Sequence, residues 1–384
     1  MMFVPADELK VGMRLAKPIF NKRGVLLYDR DTKLTAQGIT SIRNFNLIGI
    51  YVLEPAEPLP PMTEEDREFE RFQTMSVFTL QEIMNDIRDG RQPSKLESLC
   101  NDVLRLFGKS SGSKLTFTQN LRSPEDNVYK HSLNTAILSA SIYAALAPQS
   151  KTQQRYTVMA ALLHDIGSLE IPDSVARKKT ADLTEDDMEL IALKREEGYR
   201  MIRENCDLES EVMKDISYLL RDLRDMNGMP DVKTPDYQVE TLKCAYVFDQ
   251  MTAMKYGEEP QSDIAAYKYL HHPAHHINQQ VVAALAKAVN IVPVGCSVVF
   301  TDGTKGIVLT ENPDDILRPF VLSYKDNKIY NLSEGKVFEK MQIVDVVKTM
   351  DNRYVMTEEY KKYQEALKTG EAKVIKRPGR NDGE

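Results

Sequence analysis

A histidine and an aspartate stand side by side after an apolar run, as His164 and Asp165 in "AALLHDIGSLEIPD". Imidazole nitrogen and carboxylate oxygen both ligate divalent cations. Adjacent residues on a helix diverge by about 100°, so this pair can approach one cation from two directions. His131 opens an earlier amphipathic helix in "VYKHSLNTAILS" and is a third candidate ligand. The alternative is structural: Gly167 stops a helix, and His164 interacts favourably with its dipole.

The remaining histidine-rich stretch, "HHPAHHIN", contains His271, His272, His275 and His276. Histidines four residues apart on a helix are a common two-ligand metal grip. Pro273 lies inside the stretch, however, and the segment joins two helical patterns. We therefore expect a polar loop here, with only adventitious metal affinity.

The composition limits the class of protein. The chain has 384 residues, enough for two or three domains, and a formal net charge of −7, which disfavours a nucleic-acid binder. Its four scattered cysteines fit a reducing compartment. No apolar run reaches the roughly 20 residues of a membrane span, and the opening "MMFVPADELK" lacks the features of a secretory signal. We expect a cytoplasmic protein without a membrane span.

Hydrophobic periodicity divides the chain. Short β-type runs flank a helical stretch whose N-cap is Thr35, and a Pro-rich segment precedes a long region of helical spacing that Thr63 and Asp66 begin as a cap. The predicted units are an α/β module (1–54), a Pro-rich linker (55–62), a helical domain (63–292), a β-rich extension (293–350), and a short helix with a disordered tail (351–384). The predicted fold is mainly α, with small sheets at both ends.

Six strings occur in an order typical of one family: "YKHSLNTAILS", "ALLHDIGSLEIPD", "EEGYRMI", "DMNGMP", "YVFDQMTA" and "IVPVGCSVVFTDGTKGIVL". Over roughly residues 125–350 the chain resembles the HD superfamily of metal-dependent phosphohydrolases, in its HD-GYP branch. The first 54 residues look like a domain often fused in front of it. The resemblance implies an HD-type helical bundle, and it implies hydrolysis of cyclic di-GMP by a centre of iron or manganese.

The resemblance assigns seven metal-ligand positions, of which three are kept as His131, His164 and Asp165. The four others carry residues that are not the family's ligands: Lys194, Leu220, Arg221 and Tyr246. One metal position thus keeps most of its ligands, and a second keeps only the bridging carboxylate. We expect at most one divalent metal, iron or manganese by resemblance, or none.

Two further motifs depart from the family. The lysine that follows the His-Asp-Ile-Gly string is replaced by Ser168, which removes a phosphate contact. The signature that names the branch reads "DMNGMP", in which Met226 and Met229 replace a glycine and a tyrosine. Impaired activity is expected because four of the seven ligand positions are replaced.

Lys194 and Arg221 bring positive charge to the expected position of the second metal. Either could pair with Asp165 and attract a phosphate, but neither could acidify a water as a metal does. The alternative is that both point to solvent on charged helix faces. Asp249, Asp222 and Glu196 are candidate substitute ligands for a single metal with His131, His164 and Asp165.

These observations favour an HD-GYP-like protein of cyclic di-GMP signalling that is weakly active or inactive and serves as a nucleotide-binding relay. One alternative is an active phosphodiesterase with substitute ligands. Another is a non-binding scaffold that dimerises through helices near residues 63–108. The expected partners are a cyclic dinucleotide, signalling proteins and a second copy of the chain.

Overall fold

The computed structural model describes residues 2–21, 23–44, 49–53, 63–109, 114–115, 126–225, 236–253 and 260–347. The predicted linker (55–62), the predicted tail (351–384), and the signature string after Asp225 lie outside the described residues. The predicted division into domains therefore stays a prediction. The mainly α fold class is confirmed by the elements that follow.

The N-terminal module is a small α/β unit. Strands β1 and β2 pair antiparallel with β5 in the order β1-β5-β2, and β3 pairs with β4. Thr35 accepts a hydrogen bond from the Gly38 N–H at 3.0 Å, as expected of an N-cap. A separate small core is formed by Ile39 and Ile42 of the helix together with strand residues Val4, Leu15, Ile50 and Val52. The bounds are β1 (Met2–Pro5), β2 (Arg14–Leu15), β3 (Ile19–Phe20), β4 (Leu26–Tyr28), α1 (Ala36–Asn44) and β5 (Gly49–Leu53).

Helices make up the middle of the chain. Thr63 and Asp66 form a capping box at the start of α2, and Thr184 and Asp187 form another at the start of α7. The helices are α2 (Glu64–Arg88), α3 (Leu96–Phe107), α4 (Asn127–Leu146), α5 (Lys151–Leu163), α6 (Asp173–Ala176), α7 (Glu185–Asn205), α8 (Ser210–Asp225), α9 (Tyr237–Thr252), α10 (Asp263–His271) and α11 (Gln279–Ala288).

Helix α4 lies at the centre of this bundle. It is buried on nearly all faces, and it packs against α5, α9 and α11. A helix that is apolar all round belongs in the core of a domain. Polar side chains on α4 and on the equally buried α9 are therefore held away from water, and each needs a partner. Within the described residues, no helix is long and apolar enough to cross a membrane.

A five-stranded antiparallel sheet follows the bundle, in the order β10-β6-β7-β8-β9. Its inner face carries Val298, Phe300, Val308 and Val321, which join the same core as the helices. A short helix, α12 (Gly335–Phe338), precedes the last strand. The strands are β6 (Ser297–Phe300), β7 (Lys305–Thr310), β8 (Phe320–Ser323), β9 (Ile329–Asn331) and β10 (Ile343–Val347).

Candidate functional site

The structure brings His131 and His164 together. His131 lies near the start of α4, and His164 caps the C-terminal end of α5. Their Nε2 atoms are 3.4 Å apart, and both side chains are buried. The two histidines that the sequence analysis named as candidate ligands therefore lie side by side.

Hydrogen bonds on the far side of each ring fix the two tautomers. His131 Nδ1 donates to the Asp249 carboxylate at 2.7 Å, and His164 Nδ1 donates to the Ala161 carbonyl at 2.8 Å. Both acceptors lack a proton to give, so both Nδ1 atoms are donors and the two Nε2 atoms face each other. Burial, and then the neighbouring His131, lower the pKa of His164 to about 4. A neutral His164 with a free Nε2 lone pair is a competent metal ligand.

The carboxylate of Asp165 faces other partners. Its Oδ1 accepts a hydrogen bond from the Ser168 hydroxyl and lies 3.7 Å from Arg195 Nε. Ser168 stands where the resemblance expects a lysine, so the replacement holds the carboxylate rather than a phosphate. The cation beside Asp165 is a guanidinium of the chain itself.

Tyr246 covers the histidine pair. Its ring lies edge-on to both imidazoles, with centroids 4.8 Å from His131 and 5.6 Å from His164. Its hydroxyl accepts a hydrogen bond from Arg195 Nη2 at 3.2 Å. Burial raises the pKa of Tyr246, so the ring stays a neutral phenol at physiological pH. Tyr246 and Arg195 together occupy the side of the site where the resemblance places the last metal aspartate.

A close backbone contact positions Arg195. The turn after Asp165 packs directly on α7, where a Cβ added to Gly167 would lie 2.2 Å from the Lys194 carbonyl oxygen. A Cβ on Gly198 would lie 2.4 Å from the Gly167 nitrogen. Gly167 is therefore needed for close approach rather than for stopping a helix, as the structural alternative had it. The contact brings Arg195 against the His-Asp step.

Lys194 and Arg221 do not make the predicted contact with Asp165. Lys194 Nζ pairs with Glu197 at 2.9 Å, one turn along the same helix. Arg221 lies 4.8 Å over the Tyr218 ring and pairs with Asp222. Adjacent helical residues point about 100° apart, which is why Arg195 reaches the site and Lys194 does not.

The three candidate substitute ligands also have other surroundings. Asp249 lies behind His131 and orients its ring. Asp222 is buried beside the ammonium group of Lys243, which also lies 3.3 Å from Glu240. Glu196 is exposed on the surface of α7. None of the three lies where it could complete a metal site with His131, His164 and Asp165 in the described structure.

The histidine-rich stretch forms a turn in which several histidines contact other groups. Tyr269 stacks on His275 with ring centroids 3.6 Å apart, and His272 Nδ1 accepts a hydrogen bond from the Ala274 N–H. His276 takes a left-handed backbone conformation with φ 52°. The predicted polar loop is thus a short turn between α10 and α11.

The donor set does not fit a catalytic metal. Two nitrogens 3.4 Å apart subtend roughly a tetrahedral angle at a cation about 2.1 Å from each, so the pair alone could grip one ion. A catalytic site needs three protein ligands or more. Across the described part of the chain, no group of three or more His, Cys, Asp or Glu side chains is arranged to hold a metal.

Sequence reasoning missed Arg195 and Lys243, and it identified Tyr246 only as a replacement at a ligand position. The signal for Arg195 was its position three residues before Gly198. Both residues lie on α7, the helix that packs against the turn after His164 and Asp165. Lys243 gave a weaker signal, a lysine inside an otherwise apolar helix, which needs a buried partner.

The chain is similar in sequence to one domain family and to proteins of named function. The sequence profile of the HD domain matches residues 128–285. The chain is 24% identical over 307 residues to cyclic di-GMP phosphodiesterase PA4108 of Pseudomonas aeruginosa, covering 77% of this chain and 71% of that protein. It is 26% identical over 207 residues to the cyclic di-GMP phosphodiesterase response regulator RpfG of Xanthomonas campestris pv. campestris, covering 47% of this chain and 54% of that one.

One solved structure, Bd1817, an HDG"Y"P protein from Bdellovibrio bacteriovorus, is also similar. The match covers 74% of this chain and 99% of that one, at 14% identity and a TM-score of 0.39.

Proposed function

The chain belongs to the HD superfamily of metal-dependent phosphohydrolases, and we propose that it binds cyclic di-GMP without hydrolysing it. The observation that supports this proposal is the Arg195 guanidinium beside Asp165 and Tyr246. The Arg195 side chain provides a positive charge beside Asp165, the carboxylate that would bridge metals in the family arrangement. The protein is then a nucleotide-responsive relay in signalling, and its partners are the nucleotide and signalling proteins.

The loss of turnover follows from the chemistry of the cation. Phosphodiester hydrolysis needs a strong nucleophile at neutral pH, which HD enzymes obtain from water bound to a metal. A guanidinium keeps its proton and neutralises Asp165, but it offers no coordination site to water. The neutral phenol of Tyr246 fills the neighbouring space. Nothing in this arrangement supplies a hydroxide.

The Arg195 guanidinium that replaces a metal beside Asp165 also retains affinity for a phosphodiester. Guanidinium groups bind phosphate oxygens through paired, charge-assisted hydrogen bonds. The Arg195 side chain is 16% exposed, and Arg221 lies half-exposed on the adjacent helix α8. The two curated relatives carry the name cyclic di-GMP phosphodiesterase, which makes this nucleotide the first to test.

The test is calorimetric binding of cyclic di-GMP beside a chromatographic turnover assay, on untagged protein prepared without oxygen and supplied with Mn²⁺ or Fe²⁺. We expect binding without product. Arg195→Met should weaken binding at least tenfold, whereas Arg203→Met, an exposed arginine on the same helix, should leave it unchanged. Turnover would refute the proposal, and absence of any affinity would favour the dimeric scaffold.

A second candidate function rests on the converging Nε2 atoms of His131 and His164, which could hold one cation. In that case the chain is a phosphodiesterase with a single metal. Elemental analysis of the same preparation would then give one equivalent of metal per chain, and His131→Ala would abolish both metal and product. We expect less than about a tenth of an equivalent of metal per chain.

A further inference from the structure

A line of buried polar side chains connects helix α2 to the histidine pair. Gln73 Nε2 on α2 donates to Asn134 Oδ1 at 2.9 Å, and Asn134 Nδ2 donates to Asp249 Oδ1 at 3.0 Å. The other oxygen of Asp249 accepts from His131 Nδ1 at 2.7 Å. Four side chains on three helices thus share one chain of hydrogen bonds that ends at the site.

Each of these bonds is costly to break because every member is buried. Gln73 is 3% exposed, Asn134 is 2% exposed, and Asp249 is fully buried. A buried amide that loses its partner costs about 1–3 kcal/mol, since water cannot replace the bond. The orientation of the His131 ring is therefore tied to the position of Gln73, and so to the position of α2.

The N-terminal module contacts the same helix over successive turns. Lys17 Nζ pairs with Glu70 Oε1 at 3.0 Å, and each side chain is only 10% exposed. Gly24 lies against Met75, close enough that an added Cβ would be 2.6 Å from its sulfur. Another ion pair joins Asp29 of the module to α2 one turn earlier. The contact is specific because one of its ion pairs is largely shielded from water.

The two sets of contacts meet within one turn of α2. Glu70 faces the module and Gln73 faces the site, and three residues of helix separate them by about 4.5 Å of rise. A helix moves as a rigid element over such a distance, so a shift that the module imposes at Glu70 reaches Gln73. A displacement of about 1 Å would lengthen the 2.9 Å bond to Asn134 beyond hydrogen-bonding range.

We infer that the N-terminal module is an input domain that sets the orientation of His131 through α2, with Gln73 as the positioning residue. Lys17 and Glu70 form the contact through which the module acts. This inference depends on the proposed function only in treating His131 as part of the site. It assigns a regulatory role to residues 2–53 and to α2, which neither the family resemblance nor the comparisons assign.

The test reads the His131 imidazole directly, by long-range ¹H–¹⁵N NMR of the full-length protein at fixed pH without nucleotide. The chain has six histidines, and the His131 signals are assigned by their loss in His131→Gln. Gln73→Met keeps the shape and helix propensity of the side chain but removes the donor. We expect a resolved displacement of the His131 Nδ1 and Nε2 signals, with the exposed histidines unmoved.

The module side of the coupling is tested with Lys17→Met and Glu70→Gln, which break the shielded ion pair from either end. Both should displace the His131 signals in the same direction as Gln73→Met. Lys33→Met is the matched control, because it removes one positive charge from an exposed position of the same module. It should leave the signals in place.

Two outcomes would overturn the inference. If Gln73→Met leaves the His131 signals unchanged, Gln73 does not position the ring. If Gln73→Met displaces them while Lys17→Met and Glu70→Gln do not, the module is not coupled to the site. Should Gln73→Met fail to fold, as judged by far-UV circular dichroism, Gln73→Glu replaces it, since a carboxylate there forces the Asn134 amide to turn. Nucleotide binding enters none of these readouts, so failure of the proposed function would be seen separately.

Discussion

Replacing Lys243 by methionine should be among the most destabilising single changes in the chain. Its ammonium is fully buried and lies in contact with Asp222 and 3.3 Å from Glu240. Methionine keeps the length and apolar stem of lysine, so the change removes the charge with little change in volume. Two buried carboxylates would then lose the cation between them.

The cost can be worked from the contacts. At an effective dielectric constant of about 20, unit charges about 3 Å apart attract by about 5 kcal/mol. Asp222 keeps Arg221 at 3.1 Å, and Glu240 keeps the Asn278 N–H at 2.8 Å, so part of the compensation survives. Removing one partner of a buried ion pair costs about 3–5 kcal/mol in general. We expect a loss of about 3–4 kcal/mol in the free energy of unfolding.

Urea unfolding followed by far-UV circular dichroism measures this loss, since the chain has no tryptophan for fluorescence. The matched control is Lys214→Met, which removes an ammonium that is 44% exposed and paired with Asp236 at 2.8 Å. It should cost less than about 1 kcal/mol, as exposed ion pairs do. The triple variant Lys243→Met, Asp222→Asn, Glu240→Gln should recover most of the loss, because neutral amides need no cation.

A loss below about 1 kcal/mol for Lys243→Met would refute the reasoning, because the ammonium would then contribute no more than a surface charge. A triple variant no more stable than the single variant would also refute it. In that case the loss would come from packing of the lysine stem and not from charge. If Lys243→Met does not fold, recovery of folding by the triple variant still decides between these two causes.

Other predictions use the same unfolding assay. Gly198→Ala should cost about 1–3 kcal/mol, because its Cβ would lie 2.4 Å from the Gly167 nitrogen, whereas Gly335→Ala, which has open space, should change little. Burial raises the pKa of Asp215 to about 7, so the folded state holds a proton that the unfolded state releases. The free energy of unfolding should therefore fall as the pH rises from about 4 to about 7, by up to about 1.4 kcal/mol per pH unit. Asp215→Asn should remove this fall. A fall unchanged in the variant would contradict the assignment. Chelator should leave the urea midpoint unchanged, because side-chain cations already lie beside the buried carboxylates; a lower midpoint would show that a metal neutralises them.

Periodicity and capping residues predicted the helical bundle and its flanking sheets because those signals are local. Thr63 with Asp66 and Thr35 with Gly38 are contacts within one helical turn, so the sequence contains all that is needed to expect them. The turns at Asp302-Gly303 and Asp326-Asn327 in the terminal sheet are equally local. Secondary structure is predictable to the extent that its determinants lie a few residues apart.

The sequence did not allow a prediction that Arg195 is the cation beside Asp165. Position on a family alignment selected Lys194, but the direction of a helical side chain changes by about 100° with one residue. What selects Arg195 is the rotation of α7, which the contact between Gly167 and Gly198 fixes. That contact joins two elements about 30 residues apart, and the spacing of the residues alone does not show which face of α7 it presents.

The interior partners were still harder to foresee. His131 meets Asp249 across 118 residues, and Gln73 meets Asn134 across 61. The sequence indicated that such partners must exist, because buried polar side chains are rarely left without hydrogen bonds. It did not indicate which residues those partners are. Only the packing of α2, α4 and α9 selects one amide and one carboxylate from many.

These partners give the replaced ligands a common explanation. An HD centre concentrates carboxylates inside a helical bundle, and divalent cations normally offset their charge. Here a guanidinium lies beside Asp165 and an ammonium lies beside Asp222, so the chain supplies both positive charges itself. Under the proposed function, such a centre stays folded and oriented without a metal, and His131 is then not a metal ligand. The same His131 is the end point of the hydrogen bonds from α2. If no metal binds His131, as the proposed function implies, the inferred coupling through α2 can set the orientation of the ring.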